Sequence, residues 1–484
     1  MFAVIVGSGF AGLAMAIALK KANIHDFVVL EKAGSIGGTW RDNVYPGCAC
    51  DIPSHLYSFS FEPNPRWSAT YSPQPEIRAY IEHCADKYDL RKHIQLNTEA
   101  TGAVLHEKSG SWTVNTSDGK SLTARAVVGG LGPLHRFSFP NILGRETFQG
   151  KMFHSAGWDS SFDPAGKRIA VIGTGASAIQ FVPELQKSAG RIHLFQRTAP
   201  WVLPRFEKNY TDFDKALFEK LPFAQRAFRE FIFWTLEARG YGFVKNPNFL
   251  KFMQRFAVRH IERSVKDPVL RAKLIPNYRM GCKRILMSNT YYPALSQPNV
   301  EVITDGIQKI TPTGVVAGDG MERAVDAVIF GTGFDVHDYL GHLNVKGLGG
   351  ADLGELWARE GAQAHMGTEI NGFPNFYLLV GPNTGLGHNS MIYMIEAQVN
   401  HVLQCLLHVA DRPNSLLNVR SDVQRSYNDE LQARLRNTVW QTGCSSWYLD
   451  SQGRNTTLWP GYCFQFQSIT RRFQPSDYEM ISPS

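Results

Sequence analysis

Three glycines near the N-terminus and one acid after them have the types and spacing for binding a dinucleotide. Gly7, Gly9 and Gly12 form a G-x-G-x-x-G motif, and Glu31 follows the last glycine by nineteen residues. Glycines at this spacing let the backbone turn tightly against a pyrophosphate, and an acid at this distance accepts hydrogen bonds from a ribose diol. We therefore expect these four residues to hold the diphosphate and one ribose of a cofactor.

The elements around this motif are those that a dinucleotide site needs. Residues 3–6 are a short apolar run typical of a buried parallel strand, and residues 11–22 have the pattern of a helix. A second apolar run, residues 27–30, ends at Glu31. The start of the helix offers unpaired N–H groups and the positive end of the helix dipole to an anion. The stretch predicts a complete βαβ unit around the glycine loop.

A second glycine loop lies in the middle of the chain and lacks the acid. A strand over residues 169–172 precedes GTGASA (173–178), in which alanine takes the third place of the motif. The next strand, residues 192–195, runs into Gln-Arg-Thr instead of an acid, and its arginine is Arg197. An arginine there pairs well with a ribose 2′-phosphate, which favours NADPH over NADH. A plain surface arginine at a strand end is the alternative.

Two dinucleotide loops in one chain predict a resident flavin and a mobile nicotinamide cofactor. The first loop is followed by GGTW, residues 37–40, and this pattern fits a chain that wraps the ribityl group and ring of FAD. We therefore assign FAD to the first loop and NADPH to the second.

The order of strands predicts how the chain is divided. Residues 124–133 have the pattern of the exit strand of the first domain. Residues 324–330 form a strand that runs into Gly331-Thr332-Gly333, a turn that we expect against the diphosphate side of the flavin. The predicted fold class is α/β, with two Rossmann-like dinucleotide-binding domains of the three-layer ββα type and a helical subdomain. The expected boundaries are 1–140 and 326–484 for a split FAD-binding domain, 141–204 and 276–325 for the NADP-binding domain inserted in it, and 205–275 for the helical subdomain inserted in the NADP-binding domain.

Composition and charge exclude several other classes of protein. The 484 residues are 43% hydrophobic and 19% charged, as in an ordinary globular protein. The net charge of +7 is mild and no block of Lys and Arg forms a nucleic-acid stripe, so we expect no nucleic-acid partner. The seven cysteines are scattered and odd in number, which argues against a disulfide scaffold. Together with the lack of a signal-peptide pattern, they predict a cytoplasmic protein, which we expect to be a monomer or a homodimer.

No segment of the sequence is long and apolar enough to predict a membrane span. The nearest, residues 231–244, is interrupted by Glu237 and Arg239 and predicts a buried or surface-docked helix. Its aromatic residues and the neighbouring Arg and Lys residues leave contact with a membrane surface open. No set of His, Cys, Asp and Glu has the spacing of metal ligands, so we expect no metal. Cys48 and Cys50 are spaced C-x-C, whereas redox pairs are more often C-x-x-C.

One further stretch, FQGKMFHSAGWD at residues 148–159, lies just before the second glycine loop. Its pattern F-x-G-x-x-x-H-x-x-x-W-D, taken with both loops, resembles the fingerprint of the type I Baeyer–Villiger monooxygenases, which are class B flavoprotein monooxygenases. The stretches NVYPGCACDIPSHLYSFSF (43–61), MGCKRILMSNTYYPAL (280–295), FGTGFD (330–335) and GPNTGLGHNSMIYMIEAQ (381–398) agree with this resemblance. It covers nearly the whole chain.

The resemblance implies an oxidation of ketones or aldehydes. NADPH would reduce FAD, the reduced flavin would trap O2 as a C4a-peroxide, and this C4a-peroxyflavin would attack the carbonyl of a small-molecule substrate. The tetrahedral adduct would rearrange to an ester or lactone. Arg284 matches the family's active-site arginine, whose guanidinium stays charged and can stabilise the anionic adduct. Asp51 matches the carboxylate that orients this arginine.

The resemblance also implies roles for further residues. Lys283, Arg197 and Thr198 would grip the 2′-phosphate, and His154 would be a hinge residue that couples NADPH binding to the arrangement of the domains. A general base and a core histidine are the alternatives for His154. The fingerprint residues are Phe148, Gly150, His154 and Trp158. The predicted cofactor contacts are Gly7, Gly9, Phe10, Ala11, Gly12, Glu31, Lys32, Gly38, Thr39, Trp40, Asp51, Tyr57, Val104, Gly173, Thr174, Gly175, Ala176, Ser177, Gln180, Arg197, Thr198, Lys283, Arg284, Gly333, Phe334 and Met391.

Three rival functions remain at this stage. The first is an N- or S-oxygenating flavin monooxygenase, whose members usually carry a different aromatic residue at the position of Trp158. The second is a two-nucleotide disulfide reductase that uses Cys48 and Cys50. The third is a flavin-binding interaction protein without catalysis. The sequence does not name the substrate: Met391, Tyr393, Trp447 and Tyr448 are either the lining of an apolar substrate pocket or ordinary core.

Overall fold

The computed structural model describes residues 1–441, 443, 446–450 and 452–482. In chain order the strands are β1 (Ala3–Val6), β2 (Phe27–Leu30), β3 (Ile94–Gln95), β4 (Ala100–His106), β5 (Ser111–Thr116), β6 (Ser121–Ala124), β7 (Ala126–Gly129), β8 (Lys151–His154), β9 (Arg168–Ile172), β10 (Arg191–Phe195), β11 (Val202–Leu203), β12 (Leu286–Met287), β13 (Val300–Ile303), β14 (Ile307–Ile310), β15 (Gly314–Ala317), β16 (Glu322–Ala324), β17 (Ala327–Phe330), β18 (Asn344–Lys346), β19 (Phe376–Leu378), β20 (Leu416–Val419) and β21 (Tyr478–Ile481). The helices are α1 (Phe10–Lys21), α2 (Thr39–Asp42), α3 (Gln74–Lys87), α4 (Ala178–Gln186), α5 (Asp212–Lys220), α6 (Pro222–Val244), α7 (Phe249–Ser264), α8 (Pro268–Leu274), α9 (Tyr291–Leu295), α10 (Leu353–Glu360), α11 (Met391–Ala410), α12 (Ser421–Leu435) and α13 (Cys463–Thr470).

The first glycine loop follows β1, the central strand of a five-stranded parallel sheet with the order β19-β7-β1-β2-β3. Every residue of β1 and β2 is buried, as expected for a parallel sheet that is covered on both faces. Helix α1 follows the loop and packs against α11, so the predicted βαβ unit is present. Strand β7 pairs with β1, which confirms residues 124–133 as the exit strand.

The second glycine loop lies in a separate parallel sheet with the order β13-β10-β9-β17-β8. Strand β17 pairs with β9, with Ala327 opposite Ile169 and Phe330 opposite Ile172. The predicted return to the FAD-binding domain at residue 326 is therefore wrong, because β17 is a central strand of the second sheet. A strand followed by glycines has the same local pattern in either sheet, and its pairing is decided by long-range packing.

Smaller sheets complete the two α/β domains. The sheet β18-β4-β5-β6 lies in the part of the chain that belongs with the first parallel sheet, and β14-β15-β16 lies within the second domain. This arrangement agrees with the predicted three-layer ββα class. Four helices, α5 to α8, fill residues 212–274, which confirms the helical character predicted for 205–275. The short strands β11 and β12 pair at the base of this insertion.

Helix α6 contains the segment that came nearest to a membrane span in the sequence. It is 23 residues long, and its Glu237 is buried. Among the helices of the described residues, none is long and apolar enough to cross a membrane.

Candidate active site

The first glycine loop is packed too closely for any side chain at its third glycine. A Cβ atom on Gly12 would lie 1.9 Å from the Gly7 carbonyl oxygen, and Gly7 itself has φ of +100°. The GGTW segment lies directly on this loop, since a Cβ on Gly38 would be 3.1 Å from the Gly9 Cα atom. The loop therefore presents bare backbone at the start of α1, where an anion is favoured.

Glu31 lies beside this loop, and three residues of the chain hold its carboxylate. It accepts hydrogen bonds from the Ser8 N–H (3.1 Å) and the Ala33 N–H (3.0 Å), and it pairs with the Arg41 guanidinium (2.7 Å). Ser8 and Arg41 were not predicted from the sequence. Their positions, inside the motif and directly after Trp40, are the signal that could have found them.

Aromatic residues connect the first loop to the segment that carries Asp51. The Trp40 indole N–H donates to the Tyr57 hydroxyl oxygen (3.1 Å), and the Phe10 ring contacts Tyr57 edge to face at 5.5 Å. Burial raises the pKa of the Tyr57 hydroxyl well above its usual range, so Tyr57 stays protonated. The structure thus brings these three predicted residues together.

Asp51 and Arg284 form an ion pair, although 233 residues separate them in the chain. The Arg284 Nε–H donates to the Asp51 Oδ2 atom at 3.0 Å, and the Nη2 group contacts the same oxygen. Each side chain is about one-third exposed (32%). The Asp51 carboxylate raises the pKa of Arg284, so this guanidinium is cationic at every working pH.

Tyr448 lies close enough to this pair to interact with it electrostatically. It is buried, burial raises its pKa to about 12, and the positive charge of Arg284 opposes that rise. Its ring is 4.4 Å from the ring of the exposed Trp447. Met391, at the start of α11, is half-buried against the same group of core residues as Tyr448. Of the four residues considered for a substrate pocket, Tyr448 is thus beside the ion pair.

The second glycine loop is closed on one side by the turn that follows β17. A Cβ on Gly173, where φ is +110°, would lie 2.4 Å from the Gly331 carbonyl oxygen. Gly175 and Ala176 are exposed, and the Thr174 hydroxyl donates to the Thr198 carbonyl oxygen (3.0 Å). The 331–333 turn was expected against the flavin diphosphate; the structure places it against the second loop instead.

Two cationic side chains lie at the far end of the second loop. Burial lowers the pKa of Lys283, and the positive charge of Arg197 lowers it further, so the two groups are near neighbours. In the described part of the chain, neither is paired with a carboxylate. Arg197 and Thr198 line a cavity of about 770 Å³ that extends to Pro268 and Asn277. This arrangement places two cationic groups near a cavity, where they could bind an anion.

Gln180 of α4, a predicted cofactor contact, forms hydrogen bonds to the segment that leads to Asp51. Its amide donates to the Ala49 carbonyl oxygen (3.0 Å) and accepts from the Tyr45 hydroxyl (3.0 Å). A Cβ on Gly47 would meet the backbone oxygen of Gln180 at 2.9 Å. Helix α4 of the second domain therefore docks on the segment that leads to Asp51.

Val104 is a predicted cofactor contact that lies on a strand of the sheet β18-β4-β5-β6. It lies in β4, opposite Thr113 and Lys346. The backbone beside Glu31 belongs to Thr98, whose N–H donates to the Glu31 carbonyl oxygen (2.8 Å). The remaining predicted contacts are found as follows: Ala11 is buried in α1, Lys32 is exposed after β2, Thr39 begins α2, and Ser177 shares a 3.0 Å hydroxyl contact with Ser155.

His154 lies where the two connections between the domains run side by side. Its ring stacks on Phe137 at 4.9 Å and contacts Phe334 edge to face at 6.0 Å. The Ser138 N–H donates to the Gly333 carbonyl oxygen (3.2 Å), which joins the two connections. His154 is 1% exposed, and burial lowers its pKa to about 4, so it is neutral at physiological pH.

The other fingerprint residues pack within the second domain. Gly150 has no room for a side chain, because a Cβ would lie 2.5 Å from the Asp326 carbonyl oxygen. Phe148 packs against the core of the second domain. Trp158 contacts the rings of Phe153 (5.1 Å) and Phe181 (5.5 Å). These contacts give the other fingerprint residues a structural role in the second domain.

The two cysteines of the C-x-C pair are unsuited to redox chemistry. Cys48 and Cys50 are free and buried. Burial raises the pKa of Cys48 to about 11 and that of Cys50 well above its usual range, so neither is a thiolate at neutral pH. Cys282, by contrast, is disulfide-bonded, a bond that the sequence analysis did not anticipate.

The structure contains two buried sets of Glu, His and Cys. Within each set the three side chains lie close together, and neither set was predicted from the sequence. They are Glu237, His388 and Cys463, and Glu369, His401 and Cys405. Hydrogen bonds within the chain already engage the first triad, since Glu237 accepts from the Asn389 amide (2.7 Å) and the Cys463 N–H (2.9 Å). We read it as a contact that fixes α6 to the C-terminal part of the chain.

Comparison with known proteins agrees with this geometry. A family model described as pyridine nucleotide-disulphide oxidoreductase matches residues 4–211. A Baeyer–Villiger monooxygenase of Pseudomonas aeruginosa is 48% identical over 480 residues, which cover 99% of this chain and 91% of the relative. A Baeyer–Villiger monooxygenase of Streptomyces coelicolor is 48% identical over 483 residues, covering 99% and 92%.

The fold comparison points the same way. The crystal structure of OTEMO in complex with FAD and NADP has a TM-score of 0.90 to this chain, at 26% identity, and covers 99% of both chains. The alignments with the two bacterial relatives each cover 99% of this chain. The chain therefore belongs to the Baeyer–Villiger monooxygenase family.

Proposed function

We propose that this protein uses NADPH and O2 to insert oxygen next to the carbonyl of a ketone or aldehyde, which yields an ester or a lactone. The observation that carries the proposal is the Asp51–Arg284 pair. It presents a permanent cation next to the segment that leads from the first glycine loop. Neither a disulfide reductase nor a simple flavin-binding protein needs such a cation.

The first loop fits FAD. Gly7 and Gly12 leave bare backbone at the start of α1 for a diphosphate, and the Glu31 carboxylate is positioned for a ribose. The Arg41 guanidinium pairs with one oxygen of this carboxylate. When bound and reduced, FAD supplies the activation of O2, a reaction that no side chain performs by itself.

The second loop fits NADPH. Gly175 and Ala176 leave the start of α4 open for a diphosphate, and Arg197 with Lys283 offers two cations to the 2′-phosphate. If this is right, Arg197→Ala and Lys283→Ala should each raise KM for NADPH by about 10-fold or more. The same variants should change KM for NADH little, because NADH lacks the 2′-phosphate. Equal losses with both cofactors would contradict the assignment.

Arg284 acts on charge, not on protons. Its guanidinium is too basic to exchange a proton, so it can only stabilise negative charge, including the charge that develops on the carbonyl oxygen of the substrate. Asp51 fixes the plane of the guanidinium through the Nε–H and Nη2 contacts. Tyr448, held neutral by burial, adds an apolar wall with one hydroxyl group.

His154 is proposed as a hinge residue rather than a general base. It is neutral, buried and stacked on Phe137 at the crossing of the two connections. A rotation of one domain against the other would change the contacts of His154 with these two connections. Gln180 donates a hydrogen bond from α4 to Ala49, and such a rotation would also change this contact near Asp51.

A direct experiment separates this function from its rivals. The FAD-loaded protein is mixed with NADPH and O2, and NADPH consumption is followed with and without a panel of ketones, aldehydes and sulfides. We expect ketones or aldehydes to accelerate NADPH consumption and to yield esters or lactones. Sulfoxides as the sole products would favour the S-oxygenating alternative, and consumption without any oxygenated product would contradict both.

A further inference from the structure

We propose that the outer surface of the helical subdomain binds a membrane bilayer with anionic headgroups. This aromatic face consists of Phe223, Phe231, Trp234 and Tyr241 of α6, Phe249, Phe252 and Phe256 of α7, and Phe464 of α13. All eight side chains are exposed in the structure. The proposal is independent of the oxygenase function, because it concerns a surface and not the cofactor sites.

The apolar residues of α6 form one continuous stripe on its solvent side. Positions 223, 227, 231, 234, 238 and 241 are three or four residues apart, which places them on the same face of a helix. They are Phe, Ala, Phe, Trp, Ala and Tyr, and all are exposed. Phe231 is 66% and Trp234 is 55% exposed. Two exposed charged residues of opposite sign, Arg226 and Glu230, border the stripe.

The stripe is not a core face left uncovered by poor packing. The opposite side of α6 is already engaged, because Ile232, Phe233 and Leu236 are buried in the core. Glu237 is fixed from that side by Asn389 and by the N–H of Cys463. Because these contacts fix the opposite side of α6, the helix cannot rotate to bury its aromatic stripe, and the stripe faces outward.

Ring contacts extend the stripe into a larger surface. Trp234 contacts Phe464 at 5.8 Å, and Tyr241 contacts Phe249 at 6.2 Å. Phe252 and Phe256, one turn further along α7, contact each other at 4.8 Å. Contiguous exposed apolar surface of this kind marks an interaction site in most soluble proteins.

The charge of the same segment selects an anionic partner. Residues 205–275 contain fifteen Lys and Arg residues and eight Asp and Glu residues, an excess of seven positive charges. The whole chain has the same formal net charge of +7, so the rest of the chain is balanced. On α7, Lys251, Arg255 and Arg259 are exposed one turn apart, next to the aromatic positions 252 and 256.

These features fit a helix that lies in the plane of a membrane interface. Such helices insert Trp and Phe at the boundary of headgroups and acyl chains, and their basic residues attract anionic lipids. No described helix could span the bilayer, so the contact would be peripheral. A second copy of the chain is a poorer occupant, because two surfaces of the same positive charge repel each other.

The test uses the FAD-loaded full chain and sedimentation with vesicles. One set of vesicles is phosphatidylcholine alone, and the other contains about 30% phosphatidylglycerol. We expect the protein to sediment with the anionic vesicles at low salt and to be released in about 0.5 M NaCl. Binding to both sets alike, or to neither, would overturn the proposal.

Variants connect the binding to the surface. Phe231→Ser combined with Trp234→Ser should weaken vesicle binding about tenfold or more, and so should Lys251→Gln combined with Arg255→Gln and Arg259→Gln. Leu143→Ser is the matched control, because Leu143 is 73% exposed and lies outside the helical subdomain, and this variant should bind as the parent does. Flavin content verifies that each variant is folded. Loss of a dimer in the Phe231/Trp234 variant, with vesicle binding absent in the parent, would show that a second copy covers this face and would refute the proposal.

Discussion

The Asp51–Arg284 pair allows a quantitative test of how the active site works. If Arg284 stabilises developing negative charge and Asp51 acts only by orienting it, then the two residues must be energetically coupled. We therefore consider three variants, Arg284→Ala, Asp51→Asn and the double variant, and compare the rates of product formation. The double-mutant cycle measures the coupling directly.

The structure sets the expected magnitudes. Arg284→Ala removes the whole cation, and loss of one such stabilising group typically costs about 100- to 1000-fold in rate. Asp51→Asn keeps an oxygen acceptor for the Nε–H and Nη2 groups but removes the charge. Because the pair is about one-third exposed (32%), water screens it, and we expect a cost of about 1–2 kcal/mol, or roughly 5- to 30-fold. In the Arg284→Ala background, Asp51→Asn should change the rate less than about 2-fold.

The assay separates product formation from electron flow. Ester or lactone, NADPH consumption and released hydrogen peroxide are quantified in the same reaction. In Arg284→Ala, NADPH consumption should persist with peroxide as the product, because reduction of the flavin does not need this cation. If the losses of Asp51→Asn and Arg284→Ala simply multiply in the double variant, then Asp51 has a role of its own and our reasoning is refuted. Full product formation in Arg284→Ala would refute it as well.

Three further predictions follow from the geometry. Cys50→Ser should leave turnover nearly unchanged, since the buried thiol has a raised pKa and is free; loss of turnover would revive the disulfide reductase. Gly12→Ala should abolish flavin binding, because its Cβ would lie 1.9 Å from the Gly7 oxygen; a variant that purifies yellow would contradict the tight loop. His154 has a folded-state pKa of about 4, below 6.5, so its contribution to stability is complete above pH 6.5 and is lost as the pH falls from 6.5 towards 4. His154→Asn should therefore reduce the fall in melting temperature across that window, and an unchanged pH profile would argue against a buried neutral ring.

Local patterns were sufficient to predict the glycine loops. The predicted strands at 3–6 and 27–30 coincide with β1 and β2, and the predicted helix at 11–22 differs from α1 by one residue at each end. Apolar periodicity and glycine spacing are properties of neighbouring residues, and so they can be read without the fold. The helical subdomain was predictable for the same reason.

Contacts between distant segments could not be predicted in this way. Strand β17 belongs to the second sheet because it pairs with β9, 158 residues earlier in the chain, and no local signal distinguishes the two sheets. The Gln180 amide donates a hydrogen bond to Ala49 because α4 docks on the first domain. Asp51 and Arg284 were matched through the family resemblance, since a separation of 233 residues has no periodic signature.

The central claim, that the protein inserts one oxygen atom from O2 beside a carbonyl group, is tested most directly by isotope labelling. The FAD-loaded protein is supplied with NADPH, a ketone that accelerates NADPH consumption, and 18O2, and the product is analysed by mass spectrometry. We predict an ester or lactone that carries a single 18O atom. A product labelled only from water, or 18O recovered entirely as hydrogen peroxide, would contradict the account.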